Sequence, residues 1–270
     1  MATFETKAKG ELSIFTEGIW RHHHQEQNLM LIPDGTFNVV VINHEALIDN
    51  EPVGRGVYFI PVLTRAVMIS SDQPIYGLRL KIFSLHNLIQ CNNIDVRQTR
   101  DVFKISIAQQ LSDYVFNGTK DAEHLSECDR VLENLNYELL HKNYQVNPSL
   151  RDRVNYILDR KGNIQIQEMC REFEISRQGL HKSFKNSLGV GPKELSSIWR
   201  LNHYLWRLQH EDNFTSCAFD AGFYDQVHCI KEFQSKLGLS PRKFTYLNIT
   251  SVPYIHSTIE KRFTNFYDPD

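Results

Sequence analysis

No stretch of the 270 residues approaches the roughly 18 uninterrupted apolar residues that a membrane-spanning helix needs, and the first ten residues hold no apolar run suited to a signal peptide. A cytoplasmic protein with no membrane partner is expected. Cysteine is sparse: five residues, Cys91, Cys128, Cys170, Cys217 and Cys229, odd in number, scattered, and without a C-x-x-C pair. That excludes a disulfide framework and a zinc ribbon, and leaves reduced thiols. Low-complexity segments are missing too, and 41% hydrophobic with 23% charged residues describes an ordinary globular chain. No catalytic constellation is visible, and no cofactor is expected. One histidine-rich run, His22-His23-His24 with Glu26, puts His22, His24 and Glu26 on one face of a strand, but no second cluster completes a metal site. It reads as a solvated strand edge, with no metal.

The length points to two domains. The overall charge of −2 hides a difference in sign between them. Residues 1–148 carry 13 Lys and Arg against 18 Asp and Glu, a net −5, whereas residues 149–247 carry 15 against 11, a net +4. A basic C-terminal unit suits a polyanionic partner, because neutralised phosphates release condensed counterions.

Short apolar runs fill the first third: Leu29 to Ile32, Phe37 to Ile42, Val57 to Ile60, Ala66 to Ile69 and Tyr76 to Phe83. They are rich in Val, Ile, Phe and Tyr, and Pro33-Asp34-Gly35, Pro52-Val53-Gly54 and Asp72-Gln73-Pro74 separate them as turns. This is the punctuation of an antiparallel sandwich or barrel. From about Arg100 to His141 apolar residues recur at helical spacing, which predicts two helices after the strands. Asn147-Pro148-Ser149 then reads as a linker and a helix cap.

Beyond the linker an internal repeat stands out. Ser183 to Leu195 matches Glu232 to Phe244 at an offset of 49, with Phe184 on Phe233, Leu188 on Leu237, Gly189 on Gly238, Pro192 on Pro241 and Lys193 on Arg242. Two copies of one helical unit are implied, not a solenoid, which needs at least about three.

Each copy reads as helix, tight turn, helix. In the first, Ile164 to Phe173 is an apolar-striped helix, Glu174-Ile175 forms the turn, and Ser176 caps a second helix. Leu180 and Phe184 stand four apart on its buried face, so Arg177, Gln178, His181, Lys182 and Lys185 face outward. Such side chains reach base edges and phosphates in a major groove. In the second copy Ala218 permits close helix approach, Gly222 supplies a positive φ at the turn, and Phe223 enters the core. Cys229 and Phe233 form the buried stripe of the helix that follows, leaving Gln226, Val227, Ile230, Lys231 and Gln234 nearer the outside.

At these residues the chain resembles the AraC/XylS family of bacterial regulators. The run Ala218 to Gln226, followed by His228, Phe233, Gly238 and Ser240-Pro241, follows the family signature, as do Ser176, Leu180, Phe184-Lys185, Leu188-Gly189 and Pro192 in the first copy. The resemblance covers about residues 150–246. It implies two helix-turn-helix units joined by one helix near Pro192 to Leu208, with base-reading positions at Arg177, Gln178, His181 and Lys182 and at Gln226, Val227, Ile230 and Lys231. Two departures bear on the first unit: Gly179 weakens its reading helix by about 1 kcal/mol relative to Ala, and Glu174 stands where the family usually has a turn glycine.

A plain helical bundle with solvated charged faces would account for one such motif; two copies on the basic half favour DNA reading. The expected fold is α+β: a β-rich cupin-like barrel or sandwich over residues 1–95, a helical segment over 96–145, a DNA-binding domain over 150–247, and a tail over 248–270. The expected function is sequence-specific control of transcription. Its partners are double-stranded promoter DNA, RNA polymerase, a small-molecule effector of the N-terminal domain, and a second copy of the chain. The rival reading is a cupin-like metalloenzyme fused to a DNA-binding module, which tightly bound metal would favour.

Overall fold

The computed structural model describes residues 3–8, 13, 16–22, 28–82, 103–105, 130, 134, 147–210 and 213–248. Among these residues ten strands come first: β1 (Thr3–Lys7), β2 (Thr16–His22), β3 (Asn28–Leu31), β4 (Phe37–Ile42), β5 (Ala46–Ile48), β6 (Glu51–Val53), β7 (Gly56–Ile60), β8 (Val67–Ser70), β9 (Ile75–Leu80) and β10 (Phe103–Ile105). They form a six-stranded sheet in the order β1-β2-β9-β4-β7-β10 and a four-stranded sheet in the order β3-β8-β5-β6. Every pairing between them is antiparallel.

The near-continuous apolar runs follow from a sheet covered on both sides. Along β4, Phe37, Val39 and Val41 belong to one apolar cluster, while Val40 and Ile42 belong to another. The same alternation splits Val57 and Phe59 from Tyr58 and Ile60 on β7. The second cluster joins the six-stranded sheet to the four-stranded one through Trp20, Leu29, Leu31 and Ile69. The first runs on into the C-terminal helices through Trp199, Leu201 and Leu205, so one apolar cluster spans the β-rich unit and the helical unit. This is the mixed α+β architecture expected.

Three expectations change. The helical pattern from Arg100 is broken by β10, whose Phe103 and Ile105 pair with Phe59 and Val57 of β7. Alternating apolar residues at the open edge of β7 satisfy a strand there, and the available edge decides between the two periods. The rest of that segment lies outside the described residues, apart from positions 130 and 134. His22 is no solvated edge: it is buried at the end of β2, paired with Thr3 on one side and Ile75 on the other. His24 and Glu26 lie outside the described residues, and among those described no group of three or more His, Cys, Asp or Glu is placed to hold a metal ion. Third, β1, β2, β5 and β6 add strands the apolar runs did not mark.

Among the residues described from 147 on, seven helices follow: α1 (Pro148–Asp159), α2 (Ile166–Glu172), α3 (Arg177–Leu188), α4 (Pro192–His210), α5 (Phe214–Asp220), α6 (Gln226–Leu237) and α7 (Pro241–Asn248). Asn147 caps α1, its side chain accepting from the amide of Leu150 at 3.1 Å. Among the described residues no helix is long and apolar enough to cross a membrane.

Candidate nucleic-acid interface

Helices α3 and α6 are built alike. Each is 12 residues long, and each opens on a capping side chain that accepts from the backbone three residues on: Ser176 Oγ from Gly179 N at 3.0 Å, and Asp225 Oδ1 from His228 N at 2.6 Å. Both end on a left-handed glycine, Gly189 at φ 73° and Gly238 at φ 70°, whose amides close back on Lys185 and Gln234. Pro192 and Pro241 then start α4 and α7.

The turns ahead of these helices share a hydrogen-bond pattern and differ in chemistry. Ile175 N donates to Cys170 O, and Phe223 N to Ala218 O, each at 3.0 Å. The left-handed residue that permits this closure is Gly222 (φ 82°) in the second unit but Glu174 (φ 47°) in the first. A side chain at Gly222 would also meet the Asn163 amide, with its Cβ 2.7 Å from Cγ. At Glu174 the side chain points into solvent and only backbone strain is incurred.

The rear faces pin both helices to a scaffold. Leu180, Phe184 and Leu188 of α3 are buried, and Arg153 of α1 donates to Ser183 Oγ at 3.2 Å. Cys229, Phe233 and Leu237 of α6 are buried, with Phe233 edge-on to Tyr204 of α4 and to Phe244 of α7. Burial pushes the Cys229 thiol up to about 12, with a Tyr204 hydrogen bond acting the other way. Glu232 takes the Ser197 hydroxyl and the Arg200 guanidinium from α4, the latter at 3.5 Å, and Arg200 also lies over the Phe223 ring at 5.0 Å.

The opposite faces are open. Arg177, Gln178, His181 and Lys182 are exposed on α3, as are Gln226, Val227 and Lys231 on α6, with Ile230 half-buried beside them. Val227 is 61% exposed. Lys185 differs from its expected outward place: its Nζ turns back to the Gly189 carbonyl at 3.0 Å and to Glu194 at 3.3 Å, closing the C-terminal end of its own helix.

A helix-turn-helix domain model matches residues 169–245, which spans both motifs. The C-terminal unit is an AraC-type DNA-binding domain. The chain is accordingly a DNA-binding transcription regulator. Among solved structures, an apo ToxT variant from Vibrio cholerae strain SCE256 matches with a TM-score of 0.52 at 12% identity, covering 89% of this chain and 99% of that one, and shows the same fold. A second ToxT crystal form from Vibrio cholerae gives 0.48 at 13% identity over 92% and 99%. The AraC-like transcriptional activator CuxR gives 0.28 at 16% identity over 78% and 87%. Comparison with curated proteins returns no match.

Two exposed aromatic side chains lie ahead of α6, and neither was given a role from the sequence. Tyr224 is 88% exposed in the turn before Asp225, and Phe219 is 59% exposed at the end of α5. The signal lay in the repeat: the left-handed residues are 48 apart and the capping residues 49 apart, so the second turn holds one extra residue.

Proposed function

We infer that the chain reads a two-part duplex site, with Arg177, Gln178, His181 and Lys182 of α3 in one major-groove segment and Gln226, Val227, Ile230 and Lys231 of α6 in the next. One observation carries the reading: two equally long helices at an offset of 49, each N-capped by a side chain and closed by a left-handed glycine, buried behind and open in front. Arg, Lys and Gln supply donors and acceptors to base edges, while Val227 and Ile230 suit the methyl group of thymine. Tyr224 stands where it meets the backbone beside the second groove.

Regulation rather than catalysis is the role, and the N-terminal β-rich unit is its lever. In favour stands its docking on α4, the helix both motifs share. The Asn202 amide donates to Pro33 O at 2.9 Å, and Ala66 N donates to the Lys236 carbonyl at the end of α6 at 2.6 Å. A small molecule that rearranges the strands acts on those contacts. RNA polymerase and a second copy of the chain complete the partners on this reading.

The test is selection of bound sequences from a random duplex library, with affinities repeated over a salt series for wild type, Arg177→Ala and Gln226→Ala. We expect a site of two parts about one helical turn apart. Each substitution relaxes a different part, at about 1–3 kcal/mol. Folded protein that enriches no sequence and shows no salt-dependent binding overturns the reading.

A further inference from the structure

Between α3, the start of α4 and the last turn of α6 lies a cleft of about 440 Å³, within the size range of small-molecule sites. Ile166 and Pro192 give it apolar wall, and its basic side chains are Arg177, His181, Lys193 and Lys236 against a single acid, Glu194. Arg177 and His181 are exposed, while Lys236 is only 9% exposed.

Lys236 is the anomaly. Among the described residues no side chain forms a hydrogen bond or close ion pair with its ammonium. Glu194 and Glu232 attract it from a distance, but both are committed elsewhere. Glu194 Oε2 accepts from Gly191 N at 3.2 Å and lies 3.3 Å from Lys185 Nζ. Glu232 is held by Ser197 and Arg200, with His228 at 3.7 Å. A lysine whose side chain is this buried, while its ammonium has no bonded counter-charge, is unfavourable, so a fold that retains one at a cleft leaves a place for an anion. Burial lowers its pKa, in keeping with a charge stripped of water and not yet paired.

We propose that this cleft binds an organic monoanion, a carboxylate on a compact apolar body, with Lys236 pairing its head and Arg177 and His181 closing over it. The apolar wall favours such a molecule over a bare oxyanion. The phosphates of a rigid duplex meet the exposed cations Arg177 and Lys182 instead, since Lys236 lines the cleft and not the outer face. Arg177 and His181 are also reading positions of α3, so occupancy takes two side chains away from DNA. A ligand here therefore competes with the operator directly, without passing through the β-rich unit.

Calorimetric titration of the full-length chain, without DNA, tests the site with 4-phenylbutyrate, with the matching alcohol 4-phenylbutan-1-ol, and with inorganic phosphate. Saturable binding of one carboxylate per chain is expected, at least tenfold tighter than either the alcohol or phosphate. Lys236→Met should weaken the carboxylate at least tenfold while melting at or above the wild-type temperature, because an unpaired charge has been removed. Should that variant not fold, Lys236→Gln carries the same expectation for binding. No carboxylate binding, equal binding of the alcohol or of phosphate, or undiminished affinity in the folded Lys236 variant overturns the proposal.

Discussion

The side-chain amide of Asn202, midway along α4, donates to the carbonyl oxygen of Pro33, 169 positions earlier, at 2.9 Å, and to Ile198 O at 2.8 Å. The turn it grips is rigid. Asp34 Oδ1 accepts from both the amide and the hydroxyl of Thr36, and its other oxygen lies 3.4 Å from Arg79 Nε, with Arg79 1% exposed. Next to it Gly35, at φ 74°, sits against the Trp199 indole so closely that a Cβ would lie 2.6 Å from Nε1.

Replacing Asn202 with Ala should therefore cost about 1–3 kcal/mol, since it leaves the buried Pro33 carbonyl without its donor. Gly35→Ala should be worse, combining a left-handed backbone with a clash against a ring fixed by α4. Urea unfolding of the two variants checks both. An Asn202→Ala midpoint equal to wild type would mean that the contact contributes nothing to the docking.

Asp34→Ala removes a carboxylate from beside the buried Arg79 and the acceptor of the Thr36 amide and hydroxyl. Removing one partner of a buried pair is expected to destabilise by about 3–5 kcal/mol. Equilibrium unfolding measures this, and replacing both residues with apolar side chains of similar volume should recover most of the loss.

Glu174→Gly should stabilise the protein by about 1 kcal/mol or less. The substitution relieves a left-handed side chain at φ 47°, although the unfolded chain gains some freedom in return. Thermal unfolding reads the sign, and Gly222→Ala at the equivalent turn should move the melting temperature the other way.

His203, buried on α4 and stacked on Trp206, has its pKa lowered to about 4 by burial first, then by Lys161 and Arg207. The folded protein prefers the neutral ring, whereas the unfolded chain takes up a proton below about 6.5. This contribution is therefore complete above pH 6.5 and is lost as the pH falls towards 4, by up to about 3 kcal/mol. Unfolding free energies between pH 7 and 4 should show the slope, and His203→Gln should flatten it.

What the sequence showed depended on how local the cause was. Helix ends were legible, because Asn147, Ser176, Gly189, Pro192, Gly238 and Pro241 act on backbone groups within a few residues of themselves. β4 was legible at both ends because Phe37 to Ile42 is one unbroken β-forming run. β2 was hidden by its glycine, arginine and histidine, which the sheet buries all the same. Lys236 reads as a surface lysine beside Leu237, and only the fold brings α3 and the start of α4 around its side chain and Ala66 N onto its carbonyl. Lys185 was assigned to solvent because Glu194 belongs to the next helix, and no periodicity within α3 reports that acid.

Helix α4 touches both helix-turn-helix units and the strands: Ser196 grips the Gly162 carbonyl of the first unit at 2.6 Å, Arg200 holds Glu232 of the second, and Asn202 holds the strands. Nineteen residues of helix make a rod of about 28 Å, a little under the pitch of a DNA turn. On the proposed reading the two heads are thus mounted on a ruler, and an operator with one base pair inserted between its halves carries the second half about 34° around the duplex axis from its head.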